Sequence, residues 1–237
     1  MQPRAIADLS TAERRAFFDR DAGVESARED VREILPRVRE EGDVAVREFS
    51  KEFDGVEVAN LDVTAEAEQA VEAVDDQTLD AIREAVENVR EFHERQHPED
   101  WRETFGDREL GRRFRPIERA GVYVPGGTAA YPSSAIMGVV PAKVAGVEHV
   151  AVATPPAEEI NPVTLAAIHE AGADVVYSVG GAQAIGALAY GTETVKAVQK
   201  VVGPGNPWVT AAKAEVRGEV EIDFLAGPSE VLVLADE

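Results

Sequence analysis

From residue 120 onward the chain is punctuated in one repeating way: a short apolar run, a turn of glycine and proline, then a longer segment of small and apolar residues. The runs lie in "AGVYVPGG", "EHVAVATPP", "ADVVYSVGG", "VQKVVGPGN" and "PSEVLVLAD". Between them stand "PSSAIMGVVPAKVAGV", "NPVTLAAIHEAGA", "AQAIGALAYG" and "PWVTAAKAEVRG", each long enough for a helix. Continuous apolar runs are strands covered on both faces, and strands alternating with helices build a parallel sheet flanked on two sides. In such sheets ligands bind at the carboxyl ends of the strands. The turns "VPGG", "SVGG" and "GPGN" fall at those ends.

The earlier part has a different texture. The expected organisation is a helical N-terminal region, residues 1–114, followed by a Rossmann-like α/β domain, residues 115–237, with helices on both faces of its parallel sheet; 237 residues suit one large domain or two. Ser10 and Glu13 stand in capping-box spacing, and Pro36 is placed to kink the amphipathic stretch "SAREDVREILPRVREEG". Leu79, Ile82, Val86, Val89 and Phe92 mark the core-facing stripe of a further helix, which Pro98 stops.

That helix ends in His93-Glu94-Arg95-Gln96-His97, a literal match to the HExxH pattern of zinc peptidases. A peptidase would need the helix to continue, both histidines to face a cleft, and a third ligand downstream. Pro98 directly after His97, and polar Arg95 and Gln96 inside the pattern, point instead to an accidental match, with both histidines beside the apolar stripe near solvent. His149 and His169 read as structural.

Composition narrows the chemistry. Asp and Glu number 45 against 24 Lys and Arg, a net charge of -21 that disfavours nucleic acid and anionic membranes as partners. The only lysines are Lys51, Lys143, Lys196, Lys200 and Lys213, and an acidic, lysine-poor surface suggests a halophilic protein; a simply acidic one is the alternative. With no cysteine there is no disulfide, thiolate metal site or thiol nucleophile. The amino terminus lacks the layout of a signal peptide, so a cytoplasmic location is expected. The uncharged stretch from Ala120 to Ala142 is interrupted by Pro125, Pro132, Pro141 and Gly126-Gly127, so no membrane span is expected from it.

The glycine turns fail the common nucleotide fingerprints. "GPGNPW" has Trp208 where GxGxxG needs its third glycine, and "GGAQAIG" lacks the spacing and lysine of a P-loop. The same turns carry polar side chains, namely Tyr123, Gln183, Asn206 and Ser229. Singly each can be a cap or turn residue bonding its own backbone, the simpler reading for Asn206 and Ser229. Together at one sheet edge they make a binding rim, where helix-start amides suit an anionic group.

The stretches "RAGVYVPGGTAAYPSSAIMGVVPAKVAGVEHVAVATPP", "VGGAQAIGALAYGTETV", "KVVGPGNPWVTAAK" and "DFLAGPSEVLVLAD", in this order and spacing, resemble histidinol dehydrogenases, as does "FHERQ" followed by "RPIERAGVYVPGG". The resemblance implies a zinc-dependent homodimer that oxidises L-histidinol to L-histidine through an enzyme-held aldehyde, using NAD⁺ twice in succession at the last step of histidine biosynthesis. It implies NAD contacts at Tyr123, Gln183 and Asn206 and a substrate contact at Ser229. The family's zinc ligands and its Glu-His acid/base pair would follow residue 237. This chain is therefore expected to hold no catalytic and no metal-binding residue, to be inactive alone, and to expose apolar surface that the rest would cover. A cysteine-free chain cannot oxidise an aldehyde through a thiohemiacetal; a hydrate deprotonated beside a metal remains open to it. A non-catalytic binding or assembly module that retains the fold is the alternative.

Overall fold

The computed structural model describes residues 8–18, 23–127 and 129–225. Five helices come first: α1 (Thr11–Phe18), α2 (Val24–Glu41), α3 (Asp43–Phe49), α4 (Thr64–Ala73) and α5 (Asp76–Glu94). A hairpin of β1 (Trp101–Phe105) and β2 (Arg108–Arg112) leads to the alternating part: β3 (Arg119–Tyr123), α6 (Pro132–Val144), β4 (His149–Thr154), α7 (Pro162–Glu170), β5 (Val175–Ser178), α8 (Gly181–Tyr190), β6 (Lys200–Val202), α9 (Pro207–Val216) and β7 (Glu221–Ile222).

The strands β3 to β7 form one parallel sheet in the order β5-β4-β3-β6-β7. The chain starts in the middle, winds outward through β4 and β5, then returns to the other side of β3. This is the doubly wound Rossmann order, and the reversal between β3 and β6 opens a crevice at the carboxyl ends of those two strands. Alternate strand residues serve opposite faces. Val122, Val150, Val152 and Val176 enter one core with α4 to α7, while Tyr123, Ala151, Ala153 and Tyr177 enter the other with α2, α3, α8 and α9. Both cores draw on residues from either side of position 114. The early helices thus form outer layers, with α2 against α8 and α9, α4 against α7, and α5 against α6 and α7.

The open edge of β5 is closed by the segment before α4. Val63 N–H donates to the Val176 carbonyl at 2.8 Å and Ser178 N–H to the Leu61 carbonyl at 2.8 Å, which removes the unpaired edge. At α1 the capping box forms as its spacing implies: Ser10 N–H donates to Glu13 Oε2 at 2.9 Å and Glu13 N–H to Ser10 Oγ at 3.3 Å. Pro36 lies inside α2, which runs on to Glu41.

Two expectations change. The region before 114 is not helical throughout, because residues 101–112 form the hairpin, with a tight turn at Gly106 (φ 64°). Its strand residues are all exposed, so no buried face drew attention to it. The stripe on α5 also stops early: Leu79, Ile82 and Val86 are buried, but Phe92 is 61% exposed. Two successive three-residue steps, from Val86 to Val89 to Phe92, each fall about 60° short of a full turn, so Phe92 has rotated off the packed face. His93 packs edge-on against Phe92, while His97 lies beyond the helix end at Glu94, so the two histidines do not share a helix.

Candidate functional site

The crevice at the switch point is lined by the turns singled out in the sequence. Tyr123 ends β3 with its ring buried and its hydroxyl accepting a hydrogen bond from Gly181 N–H at 3.1 Å. Burial pushes its phenol up to about 12, with the nearby Asp54 charge adding to the effect against the Gly181 hydrogen bond. At neutral pH the hydroxyl keeps its proton and can donate it to a ligand oxygen.

Gln183 sits in the first turn of α8 and is 1% exposed, yet its Oε1 is buried without a hydrogen-bond partner. Such an acceptor costs about 1–3 kcal/mol and asks for an explanation. Gly181 makes the arrangement possible. Its φ of 62° is left-handed, and a Cβ there would stand 2.6 Å from Gln183 Oε1. The left-handed φ is what favours the second glycine of "SVGG", and a Cβ there would also make the Gln183 amide shift.

Asn206 caps α9, its Oδ1 accepting from Val209 N–H at 3.0 Å. The simpler reading of this residue is thus real, and the same side chain also borders the crevice. The preceding turn is clamped. Gly203 N–H donates to Asp223 Oδ2 at 2.9 Å, its carbonyl accepts from Lys213 Nζ at 3.0 Å, and Lys213, 4% exposed, forms an ion pair with Asp223. A Cβ on Gly203 (φ 119°) would lie 2.1 Å from the Tyr123 carbonyl oxygen, so the turn after β6 presses directly on the end of β3.

The crevice has two lobes of about 940 and 800 Å³ that meet at Asp54, Tyr123, Pro155 and Asn206. The first lies over the "VPGG" turn and the start of α7, which Asn161 caps. The second lies between α2, the segment from Phe49 to Asp54, and the starts of α8 and α9, with Gln183 in its wall. Tyr123, Gln183 and Asn206 therefore border one cavity, while Ser229 lies outside the described residues.

Asp54 was not foreseen. It ends the π-helical turn Ser50–Asp54, a wide turn of the sort that recurs at functional sites, and the chain reverses at left-handed Gly55 (φ 72°). Its Oδ2 is buried without a partner, and burial pushes the carboxyl up to about 6. The one trace in the sequence is an acid placed directly before a helix-ending glycine in "FDG".

Among the described residues no group of three or more His, Cys, Asp or Glu could hold a metal, and His93 and His97 gather no third ligand. The described residues therefore do not fit a zinc site. His149, half-buried at the amino end of β4, lies at the opposite end of the strand from the crevice, and burial lowers its pKa. Among the described residues no helix is long and apolar enough to cross a membrane.

The family model for histidinol dehydrogenase matches residues 19–237. The histidinol dehydrogenase of Haloarcula marismortui is 72% identical over 236 residues, which is 100% of this chain and 56% of that protein; that of Bacillus subtilis is 50% identical over 224 residues, 92% of this chain and 52% of that protein. The crystal structure of histidinol dehydrogenase from Elizabethkingia anophelis superposes with a TM-score of 0.81 at 37% identity, covering 85% of this chain and 48% of that one. The chain spans about half the length of the relatives it matches. On motifs, fold and similarity over its whole length, it belongs to the histidinol dehydrogenase family.

Proposed function

We propose that these residues form the cofactor side of a histidinol dehydrogenase, holding NAD in the two-lobed crevice while the complete protein oxidises L-histidinol to L-histidine. The observation that carries this reading is convergence. Tyr123, Gln183 and Asn206, picked out by turn chemistry, border one cavity at the topological switch point. The unpartnered Gln183 Oε1 is an acceptor awaiting a donor, and the Tyr123 hydroxyl is a proton-bearing donor beside it across Gly181. When bound, NAD supplies the hydride acceptor for alcohol and aldehyde oxidation. This chain's contribution is to bind and orient it: Asn206 through the rigid start of α9, Gln183 through a buried amide, Tyr123 through a hydroxyl fixed by Gly181.

Ser229 is assigned a substrate contact by the family resemblance. The zinc and the acid/base pair are assigned by the family resemblance to the part of the relatives' length that these residues do not span. The reading includes a homodimer working in the cytoplasm.

Calorimetric titration with NAD, paired with an assay for NADH formation from L-histidinol and zinc, tests this. The expected outcome is saturable NAD binding, weakened about tenfold by Gln183→Ala as a lost buried hydrogen bond implies, with no NADH formed by residues 1–237 alone. Zinc-dependent NADH formation would overturn the division of labour. Absence of NAD binding would favour the binding or assembly module.

A further inference from the structure

Building on the reading of the crevice as a dinucleotide site, we propose that its second lobe receives the adenosine end, where Asp54 selects a free ribose 2′-hydroxyl and so NAD over NADP.

The lobes differ in what lies next to them. The first shares Ser134 and Pro204 with a neighbouring apolar groove that runs to Asp223 and Phe224, the stretch of chain leading on to Ser229. The second shares no lining residue with that groove. The nucleoside is assigned to the second lobe on the character of its walls.

The second lobe is shaped for a base and a ribose. Phe53 and Trp208 leave 53% and 43% of their surface open on its wall. Both rings are held: Phe53 stacks on Phe49 with centroids 5.5 Å apart, and the Trp208 indole N–H donates to Asp30 Oδ2 at 2.9 Å. Flat, fixed aromatic faces are what a purine stacks on. Beside them are two acceptors without donors, Gln183 Oε1 and Asp54 Oδ2. A ribose diol brings two O–H donors to such a place, and an acidic residue accepting from the 2′-hydroxyl is a known solution for NAD.

A 2′-phosphate would bring only acceptor oxygens and negative charge. Asp54 would oppose it at contact, with Asp30, Glu33 and Glu52 behind. Among the described residues of this wall the cation is Arg37, and it is already bonded to Glu41 at 2.8 and 2.9 Å and to Glu48 at 2.6 Å. In molar salt the Debye length falls to about 3 Å. Selection that persists there must come from the contact at Asp54 and not from the summed field of the lobe.

The test is calorimetry on the 237-residue chain with NAD, NADP, AMP and adenosine 2′,5′-bisphosphate. Wild type, Asp54→Asn and Asp54→Ser are compared at low and molar KCl, with thermal melts confirming that each is folded. The expected result is that wild type prefers NAD to NADP, and AMP to the bisphosphate, by about tenfold or more at both salt levels, and that both variants cut this below about threefold, as removal of a like-charge contact should. NAD binding with an unchanged preference in both variants would overturn the role of Asp54 while leaving the dinucleotide reading in place. A wild-type preference that vanishes in molar salt would overturn the contact mechanism, and no dinucleotide binding at all would overturn both readings.

Discussion

Asp54 and Gln183 each keep a buried polar atom unpaired, and such atoms weaken a fold that has no ligand to meet them. For Asp54 the sign can be worked out. Its carboxyl, raised to about 6 by burial, binds its proton more tightly in the folded protein than in the unfolded chain. The stability linked to that proton is complete below the ordinary carboxylate range and is lost as pH rises through about 6. Asp54→Asn should therefore be more stable than wild type at pH 8, with the difference shrinking toward pH 5. Two pKa units correspond to about 3 kcal/mol; because Asp54 is only half-buried, solvent screening should reduce the observed gain to about 1 kcal/mol. Urea unfolding at the two pH values measures it, and a variant less stable at pH 8 would contradict the assignment of burial as the cause. Tyr123→Phe should cost about 1 kcal/mol, because Gly181 N–H loses its acceptor; hydrogen exchange at Gly181 reports the loss directly.

The element that organises the crevice is the turn between β6 and α9. Its peptide at Gly203 is gripped from both sides by Lys213 and Asp223, so α9 and the chain after β7 jointly fix where Asn206 stands. Lys213→Met should destabilise the protein by about 3 kcal/mol, since it leaves the Asp223 carboxylate without its cation. Gly203→Ala should cost about 2 kcal/mol or more through its φ of 119° and the approach of the Tyr123 carbonyl. Equilibrium denaturation checks both. At this scale the sequence was readable where an element buries itself. The strands of residues 119–202 and the turns beside them were visible because two-sided burial leaves continuous apolar runs and close approach demands glycine. The exposed hairpin of residues 101–112 leaves no such mark, and Phe92 keeps the step spacing of the stripe while its phase has drifted off the packed face. Asp54 is hidden for another reason: its meaning comes from the turn after α3 bordering one crevice with the end of β3 and the start of α9, a juxtaposition that no local pattern encodes.

On the scale of the whole molecule, two layers of early helices enclose a Rossmann-ordered sheet, and a surface with a net charge of -21 encloses both. Self-repulsion of that charge should be relieved by salt, so the melting temperature is expected to rise between low and molar KCl; a flat or falling curve would contradict a halophilic surface. Apolar surface is also open in the groove beside the first lobe, where Met137 is 58% and Phe224 65% exposed. The central claim is that the switch-point crevice is the cofactor site. Hydrogen–deuterium exchange with and without saturating NAD tests it most directly. The account predicts protection confined to residues 49–55, 121–127, 179–185 and 203–209; protection centred on the helix end at His93 to His97, or none in these four segments, would contradict it.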